Sequence, residues 1–192
     1  MPNLSPNFTL AELTVTKTGL ANNPPGAEFL NLRKAAAMME EVRALLGHPI
    51  RVNSGYRSPA VNKAVGGSAT SDHVKGYAVD FVCPAFGDCR QIAKAIAASK
   101  IKFDQLIFEG TWVHISCNPR GRRQVLTMRG GKYLPGIVSK KKAPEVRGFF
   151  ISGLTYPQSV FLDNHLTRIA IRRFLVPLGS VSPGHRITDD TI

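Results

Sequence analysis

The chain has 192 residues, 43% hydrophobic and 20% charged, the balance of a globular chain with one buried core rather than a disordered or fibrous one. No apolar run approaches the roughly 18 residues of a membrane-spanning helix, and an odd set of cysteines (Cys83, Cys89, Cys117) argues against a disulfide-built scaffold. A formal net charge of +12 attracts polyanions, nucleic acid and bacterial envelopes alike, and does not choose between them.

In chain order, residues 4–13 read as an extended entry followed by a short turn of helix, with Thr9 as N-cap and Glu12 at capping-box spacing. Residues 22–26 (NNPPG) are a loop by their turn chemistry. A long helix is expected over residues 27–46: Leu32, Ala35, Ala36, Met39, Val42, Leu45 and Leu46 recur at three- and four-residue steps, and Gly47 supplies the stop. The Met38–Met39 pair reads as core filling. Residues 50–53 form a short strand delivering Arg57, and Ser58–Pro59 starts a brief helix ended by Gly66–Gly67.

The densest chemistry lies in residues 54–81, SGYRSPAVNKAVGGSATSDHVKGYAVDF. Residues 78–82 are apolar and partly β-branched, so Asp80 sits on a short strand and His73 in the loop feeding it, with Gly76 permitting a tight turn. Asp88 caps a second helix to about residue 99, with Ile92, Ala95 and Ile96 on its buried side. Residues 104–108 and 112–116 then form a hairpin around Glu109–Gly110–Thr111, and on its second strand Trp112, His114 and Ser116 share one face. Residues 123–128 add another strand. Short antiparallel strands with helices grouped around them make an α+β domain.

Two strands can therefore hold Asp80 and His114 against a common point, with His73 nearby. Two imidazoles and one carboxylate are a borderline-soft set that suits Zn²⁺ and leaves a fourth position open, the pattern of a catalytic site. Cys83 and Cys117 lack the CxxC spacing of a zinc knuckle and read as inert. His48, His165 and His185 read as ordinary surface or hydrogen-bonded residues.

The order SGYRS, then S-x-H-x6-D, then E-x4-H within TWVHIS resembles the zinc D-Ala-D-Ala carboxypeptidase family. These are peptidoglycan-cleaving metallopeptidases related in fold to the amidase-like half of sonic hedgehog. The resemblance runs from about residue 4 to residue 136. It implies a small antiparallel sheet with flanking helices, one Zn²⁺ per chain on His73, Asp80 and His114, and peptidoglycan stem peptides as substrate. It also implies that Arg57 binds substrate and steadies the oxyanion, and that Ser71 is a second polar contact. Trp112 is a candidate substrate contact, with capping of the hydrophobic core as the alternative. Several branches carry an acid three positions before the last histidine, where this chain has Thr111; Glu109 is the expected base and Asp104 the reserve.

Residues 1–137 thus form the expected catalytic domain and residues 138–192 a basic extension of unknown role. Within the extension SKKKAP has linker composition, residues 159–174 suit an amphipathic basic helix in weak contact with an anionic surface, a loosely ordered appendage with no specific role is the preferred alternative, and residues 184–192 read as disordered. The N-terminus lacks a signal-peptide pattern. The expectation is therefore a monomer made in the cytoplasm without a signal peptide and acting on the cell wall, in a phage or prophage lysis setting as an endolysin-like enzyme. A zinc-containing cell-wall-binding module that no longer cleaves is the alternative, with Thr111 in its favour. Specific nucleic-acid binding is not expected, because Lys and Arg are dispersed with no recognisable motif.

Overall fold

The computed structural model describes residues 2–138. The expected SKKKAP linker, the 159–174 helix, the 184–192 end, His165 and His185 lie outside the described residues. Strands β1 (Asn3–Ser5) and β2 (Phe8–Thr9) pair antiparallel and lead into α1 (Leu10–Leu13). The capping box forms: the Thr9 hydroxyl accepts from the Glu12 N–H, and the Glu12 carboxylate accepts the Thr9 N–H at 2.8 Å.

Helix α2 (Gly26–Leu46) ends at Gly47, which takes the left-handed conformation (φ 67°) that a side chain would strain. It buries Leu32, Ala35, Ala36, Met38, Met39, Val42 and Leu46, whereas Leu45, on the edge of that stripe, is 41% exposed. After it come β3 (Arg51–Ser54), α3 (Pro59–Ala64), β4 (Ala78–Val82), α4 (Cys89–Ala98), β5 (Gln105–Phe108), β6 (Val113–Ser116), β7 (Gln124–Arg129) and β8 (Lys132–Pro135). Six of these strands form one sheet in the order β3-β4-β6-β5-β7-β8. Every neighbouring pair is antiparallel except β5 and β7, which run parallel. The β7–β8 hairpin, turning at Gly130 and Gly131, adds a strand beyond those expected from periodicity.

The sheet has two faces of different character. Val79 and Phe81 of β4, Val113 and Ile115 of β6, and Leu106 and Phe108 of β5 are buried in the core with α2 and with Ile92 and Ile96 of α4. Burying each such side chain contributes about 1.5–3 kcal/mol. A one-residue slip would turn these residues outward and bring Asp80 and His114 into the core, so the apolar face fixes the register of the polar one. No helix among the described residues is long and apolar enough to cross a membrane.

Candidate active site

In the β4–β6 ladder Asp80 lies directly opposite His114, so the two side chains leave the same face as neighbours. His73 comes from the loop before β4, which packs through glycines. A Cβ on Gly76 (φ 75°) would collide with the Glu28 carbonyl in the first turn of α2, and one on Gly55 would collide with the Leu13 carbonyl. Gly55 also touches the chemistry, because its carbonyl lies 2.6 Å from His73 Nδ1.

A carbonyl oxygen only accepts, so His73 Nδ1 carries the proton and Nε2 of the neutral ring presents a lone pair. Burial pushes the His73 pKa down, and the attraction of Asp80 does not reverse this, so the ring is neutral near pH 7. For Asp80 burial works to raise the pKa, but His73 and His114 outweigh it and hold the carboxyl well below its ordinary range. His73 Nε2 lies 3.1 Å from Asp80 Oδ1 and 3.1 Å from His114 Nδ1, and the last two lie 2.8 Å apart.

A lone pair and an ionised carboxylate oxygen thus face each other inside a buried cluster. A cation among the three atoms would satisfy both. Ligand atoms at about 2.0–2.1 Å from a tetrahedral zinc stand about 3.3 Å apart, close to the spacing here. The residues fit the metal.

The three ligands open into a cavity of about 480 Å³ that is also lined by Arg57, Ser71, Glu109 and Trp112. Arg57 donates from Nε to Ser54 Oγ at 2.8 Å and from Nη2 to Asp80 Oδ2. One arm of its fork therefore orients a ligand carboxylate. Ser71 Oγ accepts the His73 N–H at 3.3 Å and so steadies the ligand loop as well as lining the cavity. Trp112 precedes β6 and is 37% exposed, on the cavity rim rather than capping the core.

The two candidate bases differ sharply. Glu109 lines the cavity, and none of the described residues donates a hydrogen bond to its carboxylate. Burial, with a smaller push from Asp80, raises its pKa against the opposing pull of His114 and Arg57. Asp104 is 1% exposed and accepts from Arg120 Nη2, the Arg122 N–H, and Arg122 Nε and Nη2 at 2.7–3.0 Å. Each of its oxygens accepts two hydrogen bonds, and the Arg122 bonds and the nearby arginines hold its pKa down against burial.

Sequence reasoning does not reach Gly55, Asp72, Arg120, Arg122 or Tyr133. Asp72 is buried and accepts from Ser116 Oγ at 2.7 Å, Asn118 Nδ2 at 2.8 Å and Arg120 Nη2 at 2.6 Å, which ties the His73 loop to the end of β6. Its only local signal is an acid between Ser71 and His73. Arg120 and Arg122 carry no local signal, since Lys and Arg are dispersed along the chain with no recognisable motif. Tyr133 belongs to the unforeseen β8 and lines the cavity while 55% exposed. Cys83, Cys89 and Cys117 are free thiols, and burial pushes Cys117 up to about 11, so it remains protonated and unreactive. Among the described residues, His73, Asp80 and His114 form the one cluster of three or more such groups able to hold a metal.

A family model described as peptidase M15 matches residues 5–116, a span that contains all seven site residues expected from the sequence. A zinc D-Ala-D-Ala carboxypeptidase from Streptomyces albus G is 32% identical over 107 residues, covering 54% of this chain and 41% of that relative. The chain thus matches less than half of that relative's own length.

Proposed function

The chain belongs to the peptidase M15 family, and we propose that it is a zinc-dependent peptidase acting on the stem peptides of peptidoglycan. The observation that carries this reading is the convergence of His73 Nε2, Asp80 Oδ1 and His114 Nδ1 in one cavity with the carboxylate of Glu109. The relative from Streptomyces albus G, by its name, supports bonds between D-amino acids as the substrate class.

His73, Asp80 and His114 would hold the zinc, which when bound would supply Lewis-acid activation of the scissile carbonyl and of water. Glu109 takes a proton from the attacking water and delivers it to the leaving nitrogen as the C–N bond breaks. A raised pKa suits both halves of that transfer, since the group must release the proton it has just accepted. Arg57 keeps Asp80 in place and offers its remaining N–H groups to the oxygen that gains charge. Ser71 and Trp112 line the path of the peptide.

The finer form of the reading is cell-wall lysis or remodelling by a monomer in a phage or prophage setting, acting either as a carboxypeptidase or as an endopeptidase. Mass spectrometry of muropeptides before and after incubation with the zinc-loaded chain tests both levels. Released terminal D-amino acids mark a carboxypeptidase, and split cross-linked dimers an endopeptidase. About one zinc per chain is expected, falling steeply in His73→Ala, Asp80→Ala and His114→Ala. Unchanged muropeptides at full zinc occupancy would instead favour a non-catalytic cell-wall-binding module.

A further inference from the structure

Beyond the start of β5, at the end of the strand away from Glu109, two arginines wall the cavity. Arg120 Nη2 donates to Asp72 Oδ2 at 2.6 Å and to Asp104 Oδ2 at 2.9 Å. Arg122 grips Asp104 with both arms of a fork, Nε to Oδ1 at 2.9 Å and Nη2 to Oδ2 at 2.7 Å. The anchoring carboxylates are buried, at 5% and 0% side-chain exposure, while the two guanidinium-bearing side chains are 46% and 40% exposed.

Exposed ion pairs ordinarily contribute little and leave the arginine free to move. Here each arginine is held from behind by a buried charge. Much of its rotamer freedom is lost when the protein folds, so little remains to be lost when an anion arrives. These bonds do not use Nη1 of either residue. Nη1 of each residue and the second Nη2 N–H of Arg122 remain to meet a carboxylate, which accepts charged N–H groups.

The register gives the spacing along the sheet. Ile107 pairs with His114, and Gln105, two residues nearer the arginines, pairs with Ser116. At about 3.3 Å per residue that step is about 7 Å, the reach of two residues of extended peptide.

We propose that Arg120 and Arg122 form a carboxylate-binding subsite that selects stem peptides bearing a free carboxylate about two residues from the bond cleaved. The proposal rests on the peptidase reading, and binding can be read apart from turnover. The probe is a matched pair of stem peptides differing at one side chain, carboxylate in one and carboxamide in the other. Calorimetry with the full-length, zinc-loaded Glu109→Gln chain measures binding without hydrolysis, and kcat and KM are taken with the unaltered chain.

The acid peptide should bind about tenfold more tightly than the amide, with the difference in KM rather than kcat. Adding Arg122→Gln or Arg120→Gln should shrink that preference to within about twofold, and Arg122→Lys should keep part of it, because a single charge survives without the fork. Zinc content and circular dichroism check that each variant retains the fold. Equal binding of acid and amide before any arginine is changed would overturn the proposal without needing a variant. So would a full preference surviving in a folded Arg120→Gln/Arg122→Gln chain. Preferential binding of the acid with neither peptide cleaved would uphold the subsite and remove the peptidase reading.

Discussion

Strand β5 is flanked by two carboxylates, Asp104 just before it and Glu109 just after, and their surroundings give them opposite characters. The difference begins with the two-residue period of a strand. Gln105, Ile107 and Glu109 line the cavity, whereas Leu106 and Phe108 belong to the core; Asp104, just before the strand, is buried. A buried carboxylate stays ionised only if its oxygens are satisfied, and Arg120 and Arg122 do this. A carboxylate at the cavity, half-buried and without a donor among the described residues, has a raised pKa and is free to take a proton. Chemical identity makes both residues candidates for the base. Environment separates them.

The largest test of that contrast is a pair of substitutions. Glu109→Gln should lower hydrolysis by about a hundredfold or more with zinc retained. Asp104→Asn should keep zinc and most turnover but lose about 1–3 kcal/mol of stability, since hydrogen bonds to charged groups are lost from a buried position. An inactive Asp104→Asn chain beside an active Glu109→Gln chain would invert the assignment. Muropeptide turnover and urea unfolding, measured on the same samples, give both readings.

A smaller effect is expected at Asp72, which shares Arg120 with Asp104 but stands next to a ligand. Asp72→Asn should weaken zinc binding by about tenfold in a chelator competition, because the loop holding His73 loses its charged tie to Ser116 and Arg120. Unchanged zinc affinity would confine Asp72 to stabilising the fold.

Opposite pKa shifts also predict opposite pH behaviour in the metal-free protein. The folded pKa of Asp104 is lowered, so the stability it contributes is present above the ordinary carboxylate range and is lost as pH falls through the folded value. That of Glu109 is raised, so its charged form costs stability at neutral pH, and the cost disappears as pH falls through its folded pKa. Unfolding curves should show Glu109→Gln slightly more stable than the unaltered chain at pH 7 and level with it near pH 4. The deficit of Asp104→Asn should shrink only at lower pH. Parallel pH curves for the two variants would remove the contrast.

The smallest effect is expected from shortening the chain. Both carboxylates and all three ligands lie before Val138, whose N–H donates to Thr127 Oγ1 at 3.1 Å and whose carbonyl accepts from Arg90. A chain ending at Val138 should bind zinc and cleave small muropeptides within about twofold of the full chain, consistent with a linker composition for SKKKAP. A deficit confined to whole walls, shrinking as the Debye length falls from about 10 Å at 0.1 M salt to about 3 Å at 1 M, would assign residues 139–192 to weak anionic-surface contact. An insoluble or metal-free product would show that the later residues are needed by the fold.

Local rules made much of this protein legible from its sequence. Periodicity marked α2, capping spacing marked α1 and α4, and alternation placed Asp80 and His114 on polar faces of their strands, because each signal acts over a few residues. Three features required the folded chain. The His73 tautomer is set by the carbonyl of Gly55, 18 residues away in the chain, and the Asp72–Arg120 bond joins residues 48 apart. The parallel β5–β7 pair brings the loop carrying both arginines back over the start of β5, where they neutralise Asp104. Strand alternation assigned the faces, but burial and through-space charge decided which carboxylate could act as a base. Those quantities depend on neighbours that only tertiary packing supplies.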